Sequence, residues 1–136
     1  MDFKNKKVLI TGGCSGIGKI MARKSLERGV SNLIIWDINE EGLAKTKEEF
    51  ANFGKEMSTY KVDVSNLDEI KNAAQRVRTE VGKVDILINN AGIVVGQYFH
   101  EHTHEQIQKS LLINANALMH IALEFLPEMM KENSGA

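Results

Sequence analysis

The sequence predicts an α/β protein with a doubly wound parallel sheet, and three observations carry that expectation. Short, nearly continuous apolar runs recur along the 136 residues: Val8-Leu9-Ile10, Leu33-Ile34-Ile35-Trp36 and Ile86-Leu87-Ile88. Such runs mark strands covered on both faces, where a half-exposed strand would alternate. Amphipathic stretches with helical spacing separate them. The resulting order, β-α-β-α-β-α-β followed by a long helix, closes through right-handed crossovers into an open parallel sheet with helices on both sides.

Taken in order, the expected strands run from Lys7 to Thr11, Leu33 to Asp37, Thr59 to Asp63 and Val84 to Asn89. Leu43, Lys47 (by its stem), Phe50 and Phe53 make one helical face, and Leu67, Ile70, Ala74, Val77 and Val81 make another. Asn39 and Ser65 stand where N-caps belong, and Gly29, Gly54 and Gly82 stand where helices close. Thr103 and Gln106 have capping-box spacing at the head of the last helix. Its expected apolar face is Leu111, Ala115, Leu118, Ala122, Phe125, Leu126 and Met129, and Pro127 should bend or fray its end.

The bulk numbers bound the answer. A length of 136 residues suits one domain, 1–136, and 43% hydrophobic with 26% charged residues suffices for one core. Seventeen Lys and Arg oppose eighteen Asp and Glu, so nothing favours nucleic acid or an anionic membrane surface. The lone Cys14 cannot form an internal disulfide, which suits a cytoplasmic protein. Residues 8–10 are too short an apolar run for a signal core or a membrane span, so a soluble chain is expected.

The first strand runs into Thr11-Gly12-Gly13-Cys14-Ser15-Gly16-Ile17-Gly18. A glycine-rich turn between strand and helix sets backbone N–H groups and the positive helix end against a phosphate. Gly12 allows the tight turn, Gly16 a close backbone approach to a pyrophosphate, and Gly18 close packing of helix on strand. Gly13 to Lys19 also fits the opening of a nucleoside-triphosphate loop, but the magnesium-ligating position is Ile20, so that reading lacks its metal ligand. Asp37 closes the second strand nineteen residues beyond Gly18. A carboxylate there accepts hydrogen bonds from ribose hydroxyls and repels a 2′-phosphate. Ile38 and Asn39 follow it, and Cys14 and Ser15 add no basic group, so the pattern favours NAD over NADP. The chain is therefore expected to be of Rossmann type.

The glycine loop, then Asp63-Val64, Asn89-Asn90-Ala91-Gly92 and Asn114 together resemble the classical short-chain dehydrogenase/reductase family over essentially the whole chain. Trp36-Asp37-Ile38-Asn39 and Phe125-Leu126-Pro127 resemble its retinol and hydroxysteroid dehydrogenase branch. The resemblance implies that Asp63 and Val64 border the adenine. It implies that Asn90, Ala91 and Gly92 line the adenine ribose and steady strand four, and that Asn114 is the catalytic asparagine of a water-mediated proton relay. The candidate cofactor-binding set is Gly12, Cys14, Ser15, Gly16, Ile17, Gly18, Asp37, Ile38, Asp63, Val64, Asn90, Ala91 and Gly92.

The family completes its active site with a serine and a Tyr-x-x-x-Lys pair that exchanges a proton with the substrate oxygen. Four residues after Tyr60 and Tyr98 stand Val64 and His102, so neither begins such a pair. The expectation is a fragment, truncated after about four strands and the long helix, whose parent transfers hydride between NAD and a small alcohol or carbonyl, and which shows no turnover alone. The alternative is a non-catalytic NAD-binding or interaction module that functions at this length. Strand four should be a poorly covered edge, with Ile86, Leu87 and Ile88 inviting self-association, and a homo-oligomer is expected. His100, His102 and His104 alternate in a loop without the i, i+4 spacing of a zinc pair, so no metal site is expected. His120 and the methionines read as packing residues, and Cys14 as inert loop filler.

Overall fold

The computed structural model describes residues 2–136. Strands β1 (Lys7–Thr11), β2 (Asn32–Asp37), β3 (Glu56–Lys61) and β4 (Ile86–Ile88) form one sheet in the order β3-β2-β1-β4. Every pairing is parallel, with Leu9 opposite Ile34 on one side and Leu87 on the other. Helices α1 (Gly16–Glu27), α2 (Glu40–Phe50) and α3 (Leu67–Glu80) alternate with the strands, and α4 (His104–Leu111) and α5 (Ala117–Lys131) follow. The Rossmann-type architecture expected from the sequence is the one observed.

Alternating strand residues serve two cores. Leu9, Ile34, Trp36 and Tyr60 face Ile70, Ala74 and Val77 of α3 and Ile121 and Phe125 of α5. Val8, Ile10, Leu33 and Ile35 face Ala22 and Leu26 of α1 and Leu43 and Phe50 of α2. This explains the unbroken apolar runs, since each side chain finds a helix whichever way it points. Gly29, Gly54 and Gly82 close their helices in the left-handed conformation.

Several local expectations need correction. β3 lies earlier than Thr59–Asp63, and β4 is shorter than Val84–Asn89. Asn66, not Ser65, caps α3 by accepting from the Asp68 and Glu69 N–H groups, because Ser65 is drawn back to Asp63. In α2 the inward residue is Thr46 rather than the stem of Lys47, which is exposed. His120 is exposed, as are Met119 and Met130, so these do not fill the core.

The long final helix differs most. Thr103 and Gln106 make their capping box, but a π-helical segment, Leu112–Asn116, separates α4 from α5. The inward row is Ile113, Ala117, Ile121, Phe125 and Met129 at i+4 spacing. Leu111, Leu118 and Leu126, expected inside, are exposed. An i+4 row and the neighbouring row are equally apolar here, and only packing on the sheet selects between them. Pro127 lies within α5, which continues to Lys131. By length and composition alone, the continuous helical stretch His104–Lys131 is long and apolar enough to cross a membrane. One side of it is packed on α3 and the sheet, as in a core helix.

β4 is covered better than expected at its start, where Ile86 is buried, while Leu87 and Ile88 are half-buried. Ala136 lies along its outer side: its N–H donates to Asp85 O (3.0 Å) and its C=O accepts from Leu87 N–H (2.7 Å). Lys83 helps to bring the chain there, with its ammonium bonded to Glu132 and to Ser134 Oγ.

Candidate functional site

The sheet places the carboxyl ends of all four strands on one side of the molecule. The chain winds outward from β1 through β2 to β3, then returns to place β4 against the opposite side of β1. The crevice outside β1 and β4 is thus a topological switch point, where open α/β sheets bind ligands. Gly12–Gly18, Asp37–Ile38, Asp63–Val64 and Asn89–Gly92 all lie at or just beyond the carboxyl ends of the strands.

The glycine loop is shaped by steric necessity. Gly12 and Gly16 have φ of 67° and 50°, a region costly for residues with a Cβ. A Cβ on Gly18 would lie 2.0 Å from the Gly12 carbonyl oxygen and 2.5 Å from Asn90 Nδ2, so no larger residue fits. Beside Gly16 the space is open. α1 begins at Gly16, so the amides of its first turn have no intrahelical acceptor. Ser15 occupies the N-cap with extended backbone, yet its hydroxyl does not cap them. Those donors remain available to an anion. Ile17 and Ile38 are exposed at 71% and 61%, on either side of this cradle in sequence.

Asp37 is tied to the loop. Its Oδ2 accepts from the Cys14 N–H (3.2 Å) and its Oδ1 from the Asn39 N–H (3.0 Å), which fixes the carboxylate while leaving lone pairs free. Burial, followed by hydrogen bonding to Asp37 and the charge of that carboxylate, pushes the Cys14 thiol up to about 12. The thiol is therefore protonated at neutral pH and a poor nucleophile. Asp63 Oδ1 accepts from both the N–H (2.9 Å) and hydroxyl (2.6 Å) of Ser65, and the Asp63 N–H donates to Glu69 Oε2 (2.8 Å).

At the switch point β1 and β4 are laced together by side chains. Thr11 Oγ1 accepts from the N–H groups of Asn90 and Ala91, both at 3.0 Å. The Asn90 amide donates to the carbonyls of Thr11 (3.0 Å) and Gly12 (3.2 Å). Asn90 thus steadies strand four against the glycine loop. The Asn114 side chain clamps the next stretch: Oδ1 accepts from the Ile93 N–H and Nδ2 donates to the Ile93 carbonyl, each at 2.8 Å. It projects from the π-helical segment, a distortion frequent at functional sites. A cavity of about 100 Å³ lies between Thr11, Ala91, Asn114 and Val64.

Thr11 and Ile93 were not singled out from the sequence. A threonine closing a strand before a glycine loop is a weak signal, and a backbone partner such as Ile93 leaves none. Among the described residues no cluster of His, Cys, Asp and Glu could hold a metal, and His100, His102 and His104 lie on or near the surface.

A parallel sheet with a glycine cradle, a tethered carboxylate and a laced switch point makes this an α/β protein of Rossmann type. The short chain dehydrogenase family model matches residues 6–136, and the chain belongs to that family. It is 40% identical over 128 residues to estradiol 17-beta-dehydrogenase 11 of Pongo abelii, covering 94% of this chain and 42% of that protein. It is 36% identical over 134 residues to short-chain dehydrogenase/reductase 3 of Bos taurus, covering 98% and 44%. The chain thus spans less than half the length of these curated relatives. Among solved structures, gox2181 aligns with a TM-score of 0.90 at 28% identity, covering 97% of this chain and 51% of that one. L-sorbose reductase from Gluconobacter frateurii, complexed with NADPH and L-sorbose, aligns with a TM-score of 0.87 at 26% identity, again covering 97% and 51%.

Proposed function

We propose that residues 1–136 form the cofactor-binding half of an NAD-dependent oxidoreductase that moves hydride between the nicotinamide and a CH–OH carbon of a small alcohol or carbonyl substrate. The observation that carries this reading is the bond from the Cys14 N–H to Asp37, which fixes a ribose-type carboxylate beside an uncapped helix N-terminus. The residues fit the group: the open space beside Gly16 is a cradle that a side chain would fill. The free amides at the start of α1, residues 16–18, would hold the pyrophosphate and Asp37 the adenosine ribose, with Ile38 alongside. Asp63 and Val64 would border the adenine, and Ala91 and Gly92 would border the sugar. Bound nicotinamide supplies the hydride donor or acceptor. Asn114 would contribute to the proton relay by holding the backbone at Ile93 in place.

The carboxylate at 37, with no basic residue at 14, 15, 38 or 39, is the reason for choosing NAD. The NADPH in L-sorbose reductase makes this choice a point to test. These 136 residues contain no Tyr-x-x-x-Lys pair, so no alcohol oxidation is expected from them alone. Trp36 is the only tryptophan and is buried next to Asp37 in the chain, so energy transfer from it to bound NADH provides the titration signal. Removing an acceptor that serves charged hydrogen bonds costs about 1.5–3 kcal/mol, so Asp37→Ala should weaken NADH roughly ten- to a hundredfold. Unchanged NADH affinity in that variant, or tighter binding of NADPH than NADH by the wild type, refutes the NAD assignment.

A further inference from the structure

Behind the glycine loop, residue 14 is held from three sides. Its N–H donates to Asp37, its C=O accepts from Thr46 Oγ1 at 3.5 Å, and its thiol packs on Gly42. Thr46 and Gly42 are four residues apart on α2, hence on one face of that helix. A Cβ on Gly42 would fall 2.8 Å from Cys14 Sγ and 3.1 Å from the Asn39 side chain. Cys14 is only 8% exposed, so the sulfur has little room to retreat. Asn39 closes the circuit: its N–H donates to Asp37, and its side chain accepts from the Gly42 N–H at 2.9 Å.

We propose that Cys14 and Gly42 are a matched pair that positions the Asp37 carboxylate, making the glycine at 42 a determinant of dinucleotide recognition. The inference rests on Asp37 being the ribose ligand. Neither residue touches the dinucleotide in this scheme; both act through Asp37. A methyl group at 42 drives the sulfur toward the carboxylate or lifts the loop away from it, and either movement spoils the geometry of ribose binding. With the sulfur removed, the same methyl group fits the space it leaves. The thiol, protonated at neutral pH, serves as packing and as a neutral neighbour of Asp37.

The test is a double-mutant cycle in the full chain, read by NADH and NADPH titration with Trp36 emission and by thermal melting. Overpacking a tight contact predicts that Gly42→Ala weakens NADH by about tenfold and narrows the preference for NADH over NADPH. Adding Cys14→Ala should return NADH affinity to within about threefold of wild type, the signature of coupled neighbours. Wild-type NADH binding with a harmless Gly42→Ala, or with a loss that Cys14→Ala does not relieve, overturns the pairing and leaves the site assignment standing. Failure of the wild type to bind either dinucleotide overturns the site assignment itself. If Gly42→Ala does not fold, the double variant decides: folded and NADH-binding supports the pair, unfolded refutes it.

Discussion

In β2 every residue from Leu33 to Trp36 is completely buried, whereas in α5 the buried Ile121 lies two residues from Leu123, which is 68% exposed. Both segments are rich in large apolar residues, yet they meet different surroundings. β2 lies between β1 and β3 with helices on both faces, so its side chains are covered whichever way they point. α5 offers one row to α3 and the sheet, while Met119, Leu123, Leu126 and Met130 face outward. An apolar helix that buries only one side carries a surface available for association. β2 is thus covered on both faces within its own βαβ units, whereas the final helix keeps a long apolar row in the open.

The strongest challenge to that contrast comes from the glycine loop beside the covered strands. A Cβ at Gly18 would meet the Gly12 carbonyl oxygen at 2.0 Å and Asn90 Nδ2 at 2.5 Å, and the Gly12 backbone leaves no simple escape. Gly18→Ala is expected to cost about 4 kcal/mol or more, in the range reserved for steric conflict in a core. The expected outcome is loss of the cooperative thermal transition together with NADH binding. A variant that melts like wild type would show that the loop adapts and that the cofactor end is not rigidly built.

The next test compares two positions on one helix. Ile121→Ala removes a buried side chain and should cost about 2–5 kcal/mol in denaturant unfolding. Leu123→Ala should stay within about 0.5 kcal/mol, as for an exposed site. Equal costs would mean that the outward row is buried in solution, by another copy or another surface. We expect self-association through that row, and Leu123→Glu should then lower the sedimentation coefficient at high concentration.

A smaller effect is expected at the seam between the two regions, where Thr11 serves two amides with one hydroxyl oxygen. Thr11→Val keeps the shape and leaves both N–H groups without that acceptor. The loss of a buried partner predicts about 1–3 kcal/mol, with faster hydrogen exchange confined to residues 90 and 91. Uniform exchange across β4 instead would argue that the threonine supports the whole strand.

How much of this could be read from the sequence follows the same division. The strands were legible because burial on both faces leaves unbroken apolar runs, and the loop from Gly12 to Gly18 was legible because glycine alone suits the backbone at 12 and 16 and the close contact at 18. Asp37 was legible by its distance from that loop. The inward face of α5 was not: Leu118, Phe125 and Leu126 look alike on paper, and the π-helical turn at Leu112–Asn116 rotates the rows by an amount that no spacing rule supplies. The Ser65 and Asn66 caps were confused because both residues favour that position, and a bond from Ser65 to Asp63 decided between them. Gly42 gave no signal, because its importance comes from a sulfur twenty-eight residues earlier in the chain.

The smallest effect concerns alkaline pH and the α3 side of the sheet. Burial, followed by hydrogen bonding to Glu80 and the charge of that carboxylate, raises the Tyr60 hydroxyl from 10.0 to about 12. Below pH 10 the phenol keeps its proton in both folded and unfolded chains, and its contribution to stability is fully present. Between pH 10 and 12 the unfolded chain releases that proton while the folded chain retains it, so stability falls with rising pH. Cys14, raised from 9.0 to about 12, acts in the same direction, so the slope never belongs to Tyr60 alone. Tyr60→Phe should therefore flatten the fall of melting temperature between pH 10 and 12 without abolishing it. An identical alkaline slope in the variant would mean that Tyr60 titrates as in an unfolded chain, and that its 2.9 Å bond to Glu80 does not hold the proton in place.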